Sequence, residues 1–594
     1  VLEISDKIDV AKSTDAPRGR SSRAFYAACA GIFVVALIIR IVHVYQIRAI
    51  PLFDHLIGDA ATYDRWGQQI ASGEWLGRDV FYQAPLYPYF LGVVYKVLGH
   101  NLLTLRVVQC VIGAASCVLL ALAGREFLSA KVGVLAGALL ALYPSSIFFD
   151  SIVQKSVLDE VLICTLLYLT GRSLNRTSAG QWLGIGVTLG ALMLTRENAA
   201  VLVVVILGWT CLHPSLPRPL MRLKAMGLLL AALVAVVLPV SLRNAIVGGE
   251  FHITTSQLGP NLYIGNNPKA DGAYVPLVYG HGWPEQERAD ATALAEQAVG
   301  RALSPGEVSQ YWFGKVLSFI REQPLSWLEL MRVKLLLFWN ATELGDTEDQ
   351  YVYADWSAVL RLLNPVLHFG VLCAGAAVGF VLTLRSWRRL WVLYAIIVCY
   401  AASVIAFYVM ARYRFPIVPP LMLFAASGTL ELWDWLRGGR RIEMWLLLVC
   451  LVLCGWVLYV THGIRSDMVR ASTYQNIAHV LDEQHKLDEA FHYYSRAREI
   501  WPNDALLNIM LGRIRLDQGD ASASLPFFAE AVRISPDYAP AHVAYGAGLL
   551  VAGQTTAAAE RFQRALALDP ANERAQEGMR QVRARGGGEF RLAP

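Results

Sequence analysis

Apolar runs recur between residues 24 and 461, separated by polar stretches, and the longer ones reach the roughly 20 residues that a helix needs to cross a bilayer. The pattern predicts helices near 24–46, 103–123, 132–148, 156–171, 181–194, 198–213 and 223–242, then near 357–384, 388–410, 415–436 and 442–461. The run at 86–98 decides the topology. If it spans, every later helix flips, and the basic clusters Arg125/Lys131, Arg172/Arg176, Arg218/Arg222/Lys224, Arg385/Arg388/Arg389 and Arg437/Arg440/Arg441 leave the cytoplasmic face. Read as an interfacial helix, it keeps all of them inside, as the positive-inside rule requires. The expectation is an all-α, polytopic membrane bundle of about 11 spans over 24–461, with a cytoplasmic tail at 1–23 and outer loops at 47–102 and 244–356.

Beyond Val460 the pattern changes. Pro502, Pro536 and Pro570 stand 34 residues apart, and the same offset links Ala490, Ser524 and Ala558; Tyr494, Phe528 and Phe562; and Ala497, Ala531 and Ala565. That spacing is the tetratricopeptide period. Small residues let paired helices approach, the aromatic fills the space between repeats, and the proline ends the second helix. Residues 462–594 are therefore expected to form a soluble tetratricopeptide α-solenoid outside the membrane. Its concave face suits a peptide or partner protein, and a purely architectural cap is the alternative.

Composition narrows the function. Hydrophobic residues make up 55% of the 594 residues and charged residues 17%, and the net charge of +5 sits in short clusters between spans, which speaks to topology and not to nucleic acid. All nine cysteines lie in apolar stretches without a CxxC pair, and the 12 histidines include no HExxH, so neither a disulfide framework nor a zinc site is indicated. No Gly-rich phosphate loop stands between a strand and a helix, so a nucleotide-driven step is not indicated either.

On this topology the outer face collects the first loop, the turn Asp150–Lys155, the Thr195-Arg196-Glu197-Asn198 corner, the 244–356 loop and Arg412-Tyr413-Arg414. Ionisable residues gathered at membrane depth on one side point to a single outward site for a substrate with a polar and an apolar end. Asp59, one helical turn before Tyr63, is the candidate for orienting or deprotonating an acceptor hydroxyl, with Asp150 as the second carboxylate. Arg412, Arg414, Lys155 and Arg196 are the candidate phosphate-binding cations, since a guanidinium presents a planar fork to phosphate oxygens. Snorkelling to headgroups is the alternative for the arginines, as is an Arg196–Glu197 pair. Tyr63, Tyr87, Tyr263, Asn266 and Asn267 offer rings and amides to sugar hydroxyls, though Asn is equally an ordinary turn residue. Lys334 and Glu343, within and just after LSWLELMRVKLLLFWN, are placed toward the same site.

The first loop with Asp59 and its PLY ending, the LTREN corner, the text LRNAIVGGEFHITTSQLGPNLYIGNNPKADGAY and the ARYRFPIVPPLMLF segment together resemble the GT-C glycosyltransferases. The similarity is to the branch of protein O-mannosyltransferases and aminoarabinose transferases, here fused to tetratricopeptide repeats. It implies transfer of a sugar from a polyprenyl-phosphate-linked donor to a protein, lipid or polymer acceptor on the outer face of a bacterial inner membrane, with the repeats in the periplasm. Implied partners are membrane lipids, the lipid-linked sugar and a protein engaged by the repeats. No cofactor is implied beyond the donor, although a divalent ion between Asp59 and the phosphate is compatible with the resemblance. Where such proteins often carry Asp-Glu, this chain has Asp59-Ala60, which keeps a non-catalytic, membrane-anchored scaffold open as a second reading.

Overall fold

The structure, a computed structural model, describes residues 18–278, 281, 284–437, 455 and 466–586. Its regular elements are all helical among the described residues. Contacts divide them into two units, one built from 18–46, 62–343 and 357–437, the other from 47–61, 344–356 and 466–586. A single cut at 462 therefore does not describe the division, because two stretches of the outer loops group with the repeats.

In the larger unit, five helices are long and apolar enough to cross a bilayer: Ser22–Ala49, Leu102–Phe127, Pro219–Gly248, Phe369–Ile405 and Ala411–Asp434. The eleven expected spans are not matched one for one. The run at 132–148 breaks into Ala130–Ala141 and Pro144–Ser151, bent by 54°. Pro144 brings no N–H to the preceding turn and opens a new helix instead. The runs at 181–194 and 198–213 fold as Ala179–Thr195 and Ala200–Cys211, short of a bilayer at about 1.5 Å per residue. Residues 357–384 split into Ala358–Leu363 and Phe369–Thr383, and Ser156–Asn175 carries Asp159 and Glu160 in its first turns. The expected last span at 442–461 lies, apart from residue 455, outside the described residues. Leu86–Leu98 has 13 residues, fewer than a bilayer crossing needs.

Close approach without bulky side chains joins several of these helices. A Cβ on Gly379 would lie 1.9 Å from the Phe424 carbonyl oxygen, and one on Gly428 would lie 2.6 Å from the Gly379 nitrogen, so Phe369–Thr383 and Val418–Arg437 meet backbone to backbone. A second tie is polar. Arg40 Nε, in the first helix, donates to Asp150 Oδ2 at 2.6 Å, and Nη2 donates to Ser146 Oγ at 2.7 Å. His43 joins Ser357 and Ser151 through its two ring nitrogens, at 2.7 and 3.0 Å.

In the smaller unit, the 34-residue period appears as the helix pairs Ser466–Glu483 with Leu487–Ile500, Ala505–Asp517 with Ala521–Ile534, and Ala539–Val551 with Thr555–Leu568, followed by Glu573–Gly586. The aromatics at the repeat position are buried, Phe528 1% exposed and Phe562 2%. They pack on the small residues: a Cβ on Gly512 would sit 2.6 Å from the Phe528 ring, and one on Gly546 would sit 2.8 Å from that of Phe562. Gly546→Val should therefore overpack the repeat, cost about 1–3 kcal/mol and raise amide exchange across 505–568 by roughly tenfold or more in the full chain. Unchanged protection there would contradict this packing.

Candidate functional site

Within the larger unit a cavity of about 440 Å³ lies between the Lys155 turn, the Arg196-Glu197-Asn198 corner, the stretch 251–261 and residues 403–413. These belong to four of the five segments that the sequence places on the outer face. The corner arises because Ala179–Thr195 ends at Arg196, which is extended at φ −145° and ψ 116°, and the 3-10 turn Glu197–Ala199 restarts the chain into Ala200–Cys211.

Arg196 is 2% exposed. Its Nε bonds the Asp159 carboxylate, its Nη2 donates to Ser156 Oγ at 3.3 Å, and its guanidinium lies 5.0 Å from the Tyr413 ring centre. Its Nη1 is buried with no hydrogen-bond partner among the described residues. Lys155 opens Ser156–Asn175, is 7% exposed, and its ammonium has neither a hydrogen bond nor an ion pair among the described residues. Loss of hydration pushes its pKa below the ordinary lysine value, against the pull of the Glu197 carboxylate. The Arg412 guanidinium stands 5.1 Å from the same Tyr413 ring. Glu197 Oε1 accepts from Thr255 Oγ1 at 2.8 Å and Gln257 Nε2 at 2.9 Å, so Arg196 pairs with Asp159 and not with its neighbour in sequence.

The rest of the lining is largely apolar, including Phe251, Ile253, Leu258 and Phe407, and the first three are 65%, 57% and 53% exposed. A cavity with under-compensated cations and apolar walls suits an amphiphile with an anionic head. Among the described residues no group of three or more His, Cys, Asp and Glu side chains gathers at metal-binding distances.

The other expected site residues are placed differently. Arg414 is fully engaged: Nε and Nη2 donate to Glu343 Oε2 at 3.1 and 2.8 Å, Nη1 to the carbonyls of Phe338 and Asn340 at 3.0 and 2.7 Å, and Nη2 to that of Thr342 at 2.8 Å. Glu343 also accepts from Tyr143 Oη at 3.1 Å and Ser145 Oγ at 3.3 Å. Arg414 and Glu343 thus hold the loop 338–343 and leave no guanidinium N–H for a phosphate. Asp150 has no exposed surface and pairs with Arg40, so it forms an interior ion pair instead of a second surface carboxylate. Tyr63 and Tyr87 are 1% and 0% exposed and meet edge to face at 5.4 Å, with the Tyr87 hydroxyl donating to Gln109 Oε1 at 2.6 Å. Tyr263 packs on Trp312 at 4.6 Å. Asn266 donates to the carbonyls of Leu262 and Ala406 and accepts from Trp327 Nε1 and Lys334 Nζ. Asn267 closes its own turn through Tyr263 O, Ile264 O and Lys269 N. None of the seven expected sugar-contacting residues lines the cavity. Asp59 lies in the first turn of Gly58–Ser72, half-buried, and belongs to the smaller unit.

Two features escape the sequence pattern. Arg40 and His43 are ionisable residues inside the first apolar run, a signal visible in the sequence. The Arg196–Asp159 pairing left none, because it joins residues 37 apart on different helices.

Residues 82–242 match the family model described as dolichyl-phosphate-mannose-protein mannosyltransferase, a stretch that contains Lys155 and Arg196. Over 104 residues the chain is 35% identical to the DnaJ homolog subfamily C member 7 of Mus musculus, a match covering 16% of this chain and 20% of that protein. The chain is thus similar to that family over residues 82–242 and carries, in its C-terminal part, helix pairs with the tetratricopeptide period. It spans only about a fifth of the length of the curated relatives it matches. Among solved structures, the chain overlaps loosely with the Archaeoglobus fulgidus oligosaccharyltransferase tethered with an acceptor peptide (13% identity, TM-score 0.43, covering 78% of this chain and 58% of that one). It overlaps similarly with ArnT from Cupriavidus metallidurans bound to undecaprenyl phosphate (18% identity, TM-score 0.30, covering 69% of this chain and 78% of that one).

Two expected outcomes test the electrostatics. Lys155→Met removes a buried cation that has no partner among the described residues, so it should leave thermal stability unchanged or raise it. A clear loss of thermal stability in this variant would contradict the absence of a compensating partner. Lys334 is fully buried on Asn266 Oδ1, and loss of hydration pushes its pKa down to about 7 from the usual 10.5. Between those values the unfolded chain binds more protons than the folded one, so stability should rise with pH across that window, by at most about 1.4 kcal/mol per pH unit. Unfolding curves from pH 7 to 10 should show this slope in the wild type and lose it in Lys334→Met.

Proposed function

We propose that the chain transfers a sugar from a polyprenyl-phosphate-linked donor to an acceptor on the outer face of a bacterial inner membrane, with the donor phosphate seated in the Lys155/Arg196 cavity. The observation that carries this reading is the pairing of an unpartnered Lys155 ammonium and a free Arg196 Nη1 with an apolar, partly exposed wall. In the transfer, the acceptor oxygen bonds to the anomeric carbon as the bond from that carbon to the phosphate oxygen breaks. The electron pair leaves with the phosphate, whose growing charge Lys155 and Arg196 stabilise. Arg412 supports them across the Tyr413 ring. Arg414 acts at one remove, by holding the loop 338–343 through Glu343.

Asp59 is the proposed carboxylate that orients the acceptor hydroxyl and takes its proton. The repeats, placed on the periplasmic side, present a protein acceptor or a partner of the enzyme. Asp59→Asn should lower transfer of label from radiolabelled polyprenyl-phosphate sugars in membranes by at least about 100-fold, with binding of undecaprenyl phosphate intact. Undiminished product formation by this variant would overturn the role of Asp59, and equal product in membranes lacking the chain altogether would favour the scaffold over the enzyme.

A further inference from the structure

The smaller unit contains a contact cluster centred on Asp355. Its Oδ2 accepts from Tyr474 Oη at 2.6 Å and from Arg496 Nη1 at 3.0 Å, one donor from each helix of the first repeat. Aromatic contacts reinforce the grip. Trp356 stacks on Tyr493 at 6.1 Å, Tyr493 stacks on Tyr474 at 6.3 Å, and the Arg496 guanidinium lies 4.7 Å from the Tyr474 ring centre. Arg470 covers Tyr351 at 4.7 Å. The loop stretch 351–356 is thus held by two cations, one phenol and a short aromatic stack. Tyr474 is only 4% exposed, so its bond to Asp355 is largely shielded from competing water.

The same first helix, Ser466–Glu483, continues toward the other loop stretch. Asn476 Nδ2 donates to the Thr347 carbonyl at 2.9 Å, Gln484 Nε2 approaches the His55 ring at 3.2 Å, and the helix packs on the 3-10 turn Pro51–Phe53, whose Leu52 and Phe53 are buried. The two loop stretches also meet each other. Gly58 adopts φ +56°, a left-handed conformation, and a Cβ there would lie 3.2 Å from Thr347 Oγ1. The next residue is Asp59. Chain continuity therefore runs from the first repeat through Thr347 to the residue that starts the Asp59 helix.

We propose that the first repeat is a positioning element for the transfer reaction: Asp355, held by Tyr474 and Arg496, locks 344–356 and 47–61 onto the repeat and thereby sets where the helix bearing Asp59 begins. This rests on the role of Asp59 proposed above. Asp355, Tyr474 and Arg496 are positioning residues that act through the loop and touch no reacting atom. The repeats on this account are part of the machinery that orients the acceptor carboxylate, beyond any service as a recruitment arm. Anything that displaces the first repeat should change turnover without changing the affinity for the lipid phosphate, because the cavity that takes the phosphate is lined by other residues.

The test uses the purified full-length chain with Asp355→Ala, with Tyr474→Phe as a variant that keeps the ring, and with Arg564→Ala as a control that breaks an exposed ion pair in the third repeat. Amide exchange over 47–61 and 344–356 should quicken about tenfold in both Asp355→Ala and Tyr474→Phe, with 505–568 still protected, and should not change in the control. Transfer from radiolabelled polyprenyl-phosphate sugars should lose kcat by about fivefold or more, with binding of undecaprenyl phosphate unaltered. Unchanged exchange in the two loop stretches would overturn the lock. Faster exchange with undiminished kcat would overturn the positioning role. If Asp59→Asn itself leaves transfer intact, the failure belongs to the reading of Asp59 as the carboxylate, and the exchange data still decide whether the repeat holds the loops.

Discussion

A cation taken out of water must be compensated, and the larger unit meets that constraint in a consistent way with one departure. Arg40 has Asp150, Arg414 has Glu343 and three carbonyls, and Arg196 has Asp159, whereas Lys334, beside the neutral side-chain oxygen of Asn266, meets the constraint through a pKa pushed down to about 7. Lys155 is nearly as buried and has no such partner among the described residues. Keeping it there costs folding stability, and a group retained at such a cost on the wall of a cavity is what an anion-binding site looks like before its ligand arrives. The free Nη1 of Arg196 adds a directed donor to the same cavity. On the proposed function, the apolar lining favours a lipid phosphate over a soluble one, because only the lipid chain can cover Phe251, Ile253 and Leu258.

The gathering of the polar segments was legible in the sequence. The positive-inside pattern put the Lys155 turn, the Arg196 corner, the loop at 251–261 and Arg412-Tyr413 on one face, and those segments border one cavity. The repeats were legible as well, since a strict 34-residue offset of prolines, aromatics and small residues leaves little freedom in how the helices pair. Pairing was not. Arg414 and Asp150 sit beside the expected site in sequence, yet their partners lie 71 and 110 residues away, and only tertiary packing assigns an arginine to a carboxylate at that range. The same holds for the rings and amides of Tyr63, Tyr87, Tyr263, Asn266 and Asn267, which packing and turn closure absorb. The count of spans diverged for a local reason: apolar composition does not register the bend at Pro144 or the break between Leu363 and Phe369.

The two arginines of ARYR illustrate how neighbouring residues take different work. Arg414 is turned into the protein and immobilises the loop at 338–343, whereas Arg412 remains part-exposed beside Tyr413. Tyr413 shares its ring with Arg412 and Arg196, and its hydroxyl meets that of Tyr408 at 3.4 Å, so the cationic end of the cavity is held together by an aromatic as well as by carboxylates. The loop stretches on either side of Asp59 and after Glu343 are governed by the first repeat, which makes the solenoid a structural participant in the outer loops.

The most direct test of this account is a cryo-EM structure of the full chain with undecaprenyl phosphate. The phosphate should lie within hydrogen-bonding distance, about 3.2 Å or less, of Lys155 Nζ and Arg196 Nη1, with the first isoprene units along Phe251, Ile253 and Leu258. A phosphate bound elsewhere on the protein, or a cavity that stays closed to the lipid at saturating concentration, would contradict it.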